Sequence, residues 1–121
     1  MAAVEASLAR HGDAYVRRAY TPLEVSSCGR STAFARGLAG RFAAKEAVVK
    51  SLALTDVPVD LREIEIGGEH GRPEVRLAGH IADVATRAGL VRMSVSISMG
   101  ATVASAIALG IFDTATDGTG S

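Results

Sequence analysis

The sequence of 121 residues contains no tryptophan, aromatic residues make up only 4% of it, and there is a single cysteine, Cys28. With so few aromatic side chains, a hydrophobic core must be built mainly from aliphatic residues. One cysteine excludes an intrachain disulfide and a zinc knuckle. We interpret Cys28 as a small buried apolar residue rather than a reactive thiol, because no thiol-activating residues accompany it.

A net charge of either sign is also missing, since 13 basic and 13 acidic residues cancel. A balanced chain offers no overall field for nucleic acid, so phosphate recognition must come from local patches. No stretch approaches the roughly 20 apolar residues of a membrane-spanning helix, and charges run through residues 1–18. We therefore expect a cytoplasmic protein that binds neither nucleic acid nor membrane.

The hydrophobic residues, 48% of the chain, follow two different periods. Before residue 56 they recur with the 3.6-residue period of helices, and after residue 60 they alternate as in strands, apart from one short helix. Helices followed by antiparallel strands predict an α+β fold, with residues 1–113 as one domain and residues 114–121 as a disordered tail. We predict helices at 2–9, 14–20, 22–29, 33–52 and 79–88, and strands at 61–66, 75–77, 91–98 and 102–112.

Two stretches carry specific local signals. Thr21 can cap a helix that has Pro22 at its first position, and Glu24 completes a capping box. Gly67, Gly68 and the Gly-Arg-Pro triplet at 71–73 are predicted to form a hairpin turn, and residues 29–32 a loop.

The helix predicted at 33–52 carries a charge in its apolar stripe. Lys45 projects into the middle of the arc formed by Leu38, Phe42, Val49 and Leu52, and Glu46 lies just outside its edge. A charge drawn toward a core needs a partner, a metal or access to water.

Four motifs in this order resemble the holo-acyl-carrier-protein synthase type of the 4'-phosphopantetheinyl transferases. The most specific is the helix sequence LAGRFAAKEA at 38–47 with Lys50 one turn further on. The others are TPLE at 21–24, IEI at 64–66 followed by GRP at 71–73, and VSIS at 95–98. The resemblance covers roughly residues 4 to 112.

This resemblance implies a phosphopantetheinyl transferase-like fold, with helices packed on an antiparallel sheet. It also implies transfer of 4'-phosphopantetheine from coenzyme A to a serine of an acyl carrier protein, in fatty-acid or polyketide biosynthesis. The family's short members are homotrimers with their sites at subunit interfaces. The implied partners are thus an acyl carrier protein and two further copies of the chain.

The resemblance also assigns site residues. Glu46 becomes the Mg²⁺ ligand and, with Lys50, a catalytic residue. The residues implied to bind coenzyme A are Arg41, Lys45, Lys50, Arg72 and Pro73, with Lys45 helping to hold the site. Independently, a hard cation and lysines suit the charge that develops when a pyrophosphate breaks, and Glu46 and Lys50 share one helix side. The alternative for these two residues is an ordinary ion pair on a solvated face.

The chain departs from the family pattern in four places. The aspartate strand that supplies a second Mg²⁺ ligand would fall upstream of Met1. The glycine-threonine-glycine turn is replaced by Ala53-Leu54-Thr55, which removes the freedom of glycine to adopt φ > 0. Met99 stands in place of a histidine, and the polar residues that follow are replaced by Gly100-Ala101-Thr102.

These departures keep two alternatives open. The chain could bind a carrier protein without catalysis, using Arg10, Arg17 and Arg18 as a basic patch, although these arginines also suit a solvated helix face. It could instead act on a carrier-bound or apolar small molecule, which the apolar stretch 99–103 would suit. We interpret His11, His70 and His80 as surface residues, and Ser94, Ser96 and Ser98 as a polar strand face that could line a subunit interface.

Overall fold

The computed structural model describes residues 13–28, 33–54, 58–69 and 72–113. The predicted helix at 2–9, the loop at 29–32 and the tail at 114–121 lie outside these residues. Within them, no helix has both the length and the hydropathy needed to cross a membrane. The helices are α1 (Asp13–Ala19), α2 (Pro22–Ser27), α3 (Ala33–Ser51) and α4 (Gly79–Arg87), and the strands are β1 (Ile64–Glu69), β2 (Arg72–Leu77), β3 (Leu90–Met99) and β4 (Ala104–Phe112).

The α+β prediction is confirmed: the strands form two antiparallel pairs, β1 with β2 and β3 with β4. The long helix α3 packs on both β3 and β4, and also contacts β1. Alanines on the inner side of β4, at 104, 106 and 108, pack against the buried core clusters that α3 contributes to. The main core is entirely aliphatic and comprises Ala44, Val48, Leu54, Ile64, Ile66, Ile81 and Val95. A second cluster departs from the aliphatic prediction, because Tyr20 is buried in it with Ala19, Leu38 and Ala39.

The start of α2 has the capping box predicted from its sequence. The Thr21 side chain accepts a hydrogen bond from the Glu24 backbone N–H, and the Glu24 carboxylate accepts one from the Thr21 N–H. Pro22 occupies the first turn. The helix ends at Ser27, two residues earlier than expected, with Cys28 as its C-cap.

The first hairpin differs from its prediction at both ends. Residues Leu61–Glu63 form a 3₁₀ turn instead of a strand, because the Asp60 side chain caps it by accepting from the Arg62 N–H. Gly67 and Gly68 belong to β1 and pair with Glu74 and Pro73, so they are not part of the turn. This pairing places two glycines on the edge of β1 that faces the site described below.

The second hairpin contains a bulge that reverses one predicted side chain. The alternation over residues 91–98 predicts that Val91 shares one face of the strand with Met93, Val95 and Ile97. The register shifts between Leu90 and Arg92, so Val91 is left unpaired and its side chain is 68% exposed. From Arg92 onward the predicted alternation holds, and the strand that follows begins at Ala104 rather than at residue 102.

The C-terminal end of α3 is closed by an alanine in a left-handed conformation. Ala53 has φ of 56°, and the backbone N–H of Leu54 donates to the Val49 carbonyl at 3.1 Å. This arrangement normally uses glycine at the left-handed position. We expected alanine to remove the φ > 0 conformation; the backbone adopts it nonetheless, at a cost of about 1 kcal/mol.

Ala53→Gly should therefore raise the free energy of unfolding by roughly 1 kcal/mol, since the exposed Ala53 methyl makes no buried contact to lose. Urea denaturation of both proteins measures the difference. The matched control is Ala47→Gly inside α3, which should lower stability by a similar amount. If Ala53→Gly is destabilising as well, the left-handed alanine carries no strain.

Candidate active site

The charge in the apolar stripe of α3 has a protein partner. Lys45 and Glu24 are both fully buried, and the Lys45 Nζ lies 2.8 Å from the Glu24 Oε1. The ammonium also donates to the carbonyl oxygens of Leu61, at 2.7 Å, and Ile64. Burial lowers the pKa of Lys45, while the hydrogen bond and the charge of Glu24 act in the opposite direction.

This arrangement corrects the expectation that Lys45 binds coenzyme A directly. A lysine ammonium has three donors, and all three are used by Glu24, Leu61 and Ile64. No donor remains for a phosphate, and the side chain has no contact with solvent. These contacts tie Lys45 of α3 to α2 and to the segment that leads into β1.

An open cleft of about 630 Å³ lies between α3, the edge of the first hairpin and the end of β3. Its cationic residues are Arg36 and Arg41, and its apolar wall includes Ile97 and Met99. The remaining lining comes from small or apolar residues of α2, α3 and the strands: Ser27, Cys28, Gly37, Gly40, Ile66, Gly67, Gly68, Pro73, Val95 and Ser96.

The cationic side of the cleft has unused hydrogen-bonding capacity. Arg41 is half-buried; one of its terminal nitrogens donates to the Gly37 carbonyl at 3.3 Å, and its buried Nε has no partner among the described residues. Arg36 is exposed and donates to the Gly100 carbonyl at 3.0 Å. A buried guanidinium N–H without an acceptor is costly, and a bound anion would supply the acceptor.

Glu46 and Lys50 lie on α3 with exposed side chains, and neither lines the cleft. The alternative of an ion pair between them is not formed: in the part of the chain that the structure describes, the ion pairs are Lys45–Glu24 and Arg62–Asp60. Both side chains are thus available to a ligand or a neighbouring molecule. Of the other predicted contacts, Pro73 lines the cleft and Arg72 is exposed at the start of β2.

No group of three or more histidine, cysteine, aspartate or glutamate side chains is arranged to hold a metal within the described ranges. A site for Mg²⁺ would therefore rest on Glu46 with oxygens from a ligand and water. Such a site is within the ordinary chemistry of Mg²⁺, which is often held by one or two carboxylates together with substrate phosphates. The donor set fits a cation that arrives with a phosphorylated substrate.

Cys28 and Met99 face the same cleft. Burial raises the pKa of the Cys28 thiol, although the charge of Arg41 acts in the opposite direction. A thiol with a raised pKa is a poor nucleophile, but Cys28 is half-buried and not fully buried as its sequence context predicts. Met99 contributes a thioether beside Gly40, where an added Cβ would lie 3.1 Å from the sulfur.

Sequence reasoning missed two residues of this region. Glu24 was assigned only to the capping box, although its second oxygen accepts from the Ile66 N–H at 2.7 Å. Arg36 carried no motif, and only its position one helical turn before Gly40 could have indicated it. Of the predicted surface residues, His80, Arg17 and Arg18 are exposed, whereas His11, His70 and Arg10 lie outside the described residues.

A long helix packs on antiparallel hairpins, and arginines and glycines surround one cleft, an arrangement that suits an anionic ligand. The family model of the 4'-phosphopantetheinyl transferase superfamily matches residues 1–106. The chain belongs to this superfamily, and its relatives place it in the holo-acyl-carrier-protein synthase type.

Three comparisons illustrate the relationship. The holo-[acyl-carrier-protein] synthase of Leptospira biflexa is 40% identical over 93 residues, which cover 75% of this chain and 73% of that protein. Fatty acid synthase subunit alpha of Schizosaccharomyces pombe is 40% identical over 89 residues, 71% of this chain but 5% of that protein. The solved ACPS–CoA complex of Chronobacterium ammoniagenes superposes with a TM-score of 0.79 and 29% identity, covering 93% of this chain and 90% of that one.

Proposed function

We propose that this protein transfers the 4'-phosphopantetheine group of coenzyme A to a serine hydroxyl of an acyl carrier protein. Its superfamily membership and the holo-acyl-carrier-protein synthases among its relatives support this activity. The observation that carries the proposal is the cleft, in which Arg36 and Arg41 lie across from the glycine edge of β1.

The lining of the cleft suits the two chemical halves of coenzyme A. Guanidinium groups bind phosphates through charge-assisted hydrogen bonds, and the unpartnered Nε of Arg41 offers such a donor. Gly67 and Gly68 carry no side chain, which lets a phosphate approach the backbone of β1 closely. The apolar wall of Ile97 and Met99 suits the largely aliphatic pantetheine arm.

The reaction forms one phosphorus–oxygen bond and breaks another. The serine oxygen of the carrier bonds to the phosphorus next to pantetheine, the hydroxyl proton is released, and the phosphoanhydride bond breaks to leave adenosine 3',5'-bisphosphate. Negative charge grows on the leaving phosphate, so nearby cations lower the barrier. The cations predicted to lie near the phosphates are Lys50 and Arg41 on α3 and Arg72 on β2.

Mg²⁺ is part of this proposal, with Glu46 as its protein ligand. When bound, the cation would neutralise phosphate charge and polarise the transferring phosphoryl group. Glu46 is exposed and makes no ion pair within the described residues, so its carboxylate is available for this role.

We also propose that the protein is a homotrimer. The outer face of the second hairpin exposes large apolar side chains, and a patch of this kind marks an interaction surface. Since Glu46 and Lys50 do not line the cleft of their own protomer, a site at a subunit interface would let one coenzyme A contact both sets of residues. Apart from Met99, which lines the cleft, the exposed large apolar residues of this hairpin and its turn are Val91, Val103, Ile107, Leu109 and Ile111.

The carrier protein is the proposed macromolecular partner, and carriers of this kind are acidic. The exposed Arg17 and Arg18 on α1 would face such a partner. The match to a fatty acid synthase subunit supports a place in fatty-acid synthesis. The reaction needs coenzyme A and a carrier protein in one compartment, which we take to be the cytoplasm.

The test mixes the protein with coenzyme A, Mg²⁺ and an apo acyl carrier protein. Chromatography of the mixture then measures the adenosine 3',5'-bisphosphate that is released. We expect one nucleotide per carrier consumed, and none with a carrier whose acceptor serine is replaced by alanine. Carrier binding without nucleotide release would instead support the non-catalytic alternative. Binding of an apolar small molecule, with neither carrier binding nor nucleotide release, would support chemistry of another kind.

A further inference from the structure

We propose that the buried pair of Glu24 and Lys45 is a positioning element for the transfer reaction, which aligns the β1 wall of the cleft with α3. The inference rests on the proposed function. Neither residue reaches a ligand, because both side chains are fully buried.

The pair joins three separate segments, because both carboxylate oxygens of Glu24 and the ammonium group of Lys45 make hydrogen bonds to other parts of the chain. One oxygen of Glu24 accepts from the Thr21 N–H, at 2.9 Å, and from Lys45, and the other accepts from the Ile66 N–H at 2.7 Å. Lys45 donates to the carbonyls of Leu61 and Ile64. The start of α2, the middle of α3 and the first residues of β1 are therefore fixed to a single point.

The bond to Ile66 acts directly on the cleft. Ile66, Gly67 and Gly68 are consecutive lining residues, so the carboxylate of Glu24 fixes the first residue of a wall that offers mainly backbone to a ligand. A second bond supports the same strand, since the Thr21 hydroxyl donates to the Glu65 carboxylate at 2.6 Å.

The Lys45 end of the pair acts on α3. Arg41 lies one turn before Lys45 on the same side of the helix, and Glu46 is the next residue. Three hydrogen bonds at Lys45, together with the Tyr20 ring 5.6 Å away, limit rotation of α3 about its axis. The directions of Arg41 and Glu46 relative to β1 are set by this anchor, and a misplacement of about 1 Å can slow a reaction about a hundredfold.

The test compares variants that keep or remove the tether to Ile66. Glu24→Asp keeps the charge and the partner Lys45, but its shorter side chain cannot reach both Lys45 and the Ile66 N–H. In a Lys45→Met background, Glu24→Gln keeps a carbonyl acceptor of the right length and Glu24→Met removes it. Asp60→Asn is the control, because the Asp60–Arg62 pair in the same region is exposed.

We expect kcat of Glu24→Asp to fall at least about tenfold while the dissociation constant for coenzyme A, measured by calorimetry, changes by less than about threefold. The dissociation constant changes little because Arg36 and Arg41 still bind the phosphates. The value of kcat falls because the reacting groups are misaligned. Lys45→Met with Glu24→Gln should keep more of kcat than Lys45→Met with Glu24→Met. Each variant is assayed well below its melting temperature, so that loss of folded protein does not lower kcat.

A folded Glu24→Asp protein with wild-type kcat would overturn the positioning role, and so would equal losses in the two Lys45→Met variants. Either outcome would leave the transferase activity of the wild-type protein in place. A wild-type protein that neither binds coenzyme A nor modifies a carrier would instead overturn the proposed function, and the positioning role with it.

Discussion

Glu46→Gln should lower the rate of phosphopantetheine transfer at least about a hundredfold, the effect typical of removing one electrostatic contact from a transition state. Gln keeps the size and the polarity of the side chain but not its charge, so the proposed Mg²⁺ ligand is weakened. Because Glu46 is exposed and unpaired among the described residues, the variant should fold with an unchanged melting temperature. Loss of activity would then report the reaction and not the fold.

Two measurements make this result specific. The Mg²⁺ concentration that gives half-maximal rate should rise in Glu46→Gln, and chelation of the metal should abolish transfer by the wild-type protein. Asp83→Asn on the exposed surface of α4 is the control, and it should retain wild-type activity. If Glu46→Gln transfers at the wild-type rate, Glu46 is not a ligand in the reaction.

Ile107→Asp should convert the proposed trimer to monomers and abolish transfer. The Ile107 side chain is 74% exposed in the single chain, so an aspartate there is tolerated by the monomer. In a trimer, the same carboxylate would replace an apolar side chain at a buried interface, and removing its charge from water costs several kcal/mol. Its neighbour Leu109, 62% exposed on the same face, should give the same result when changed to aspartate.

Sedimentation of the wild-type protein and the variant at equal concentration checks this prediction. Thr86→Asp, which adds the same charge to the exposed surface of α4, is the control and should remain trimeric and active. A wild-type protein that sediments as a monomer and transfers phosphopantetheine would contradict the trimer. An Ile107→Asp monomer with full activity would show that the site needs only one protomer.

The elements that sequence predicted well are those specified by local chemistry. The capping box at Thr21 and Glu24 and the extent of α3 depend on neighbours within one or two turns, and both are confirmed. The hairpin β3–β4 was predicted from alternation alone, which has no signal for a bulge, and Val91 was therefore assigned to the wrong face. Strand pairing decides on which face of the sheet such a side chain lies, and pairing depends on residues that are distant in sequence.

The candidate site also depends on contacts between residues that are distant in sequence. The position of Lys45 within an apolar stripe correctly indicated a buried charge that needs a partner. The identity of that partner could not be predicted, because Glu24 already had a local role in the capping box and its second oxygen serves a strand 42 residues away. At Ala53 the residue type gave the wrong prediction. The way in which α3 ends requires a left-handed backbone there, and alanine adopts it although glycine is the usual residue.

Intact-mass spectrometry of an apo acyl carrier protein detects transfer of phosphopantetheine on the acceptor itself. After incubation with this protein, coenzyme A and Mg²⁺, the carrier should gain the mass of one phosphopantetheine on its acceptor serine. The gain should be absent with Glu46→Gln. A carrier of unchanged mass, under conditions in which the Leptospira biflexa synthase modifies it fully, would contradict the account.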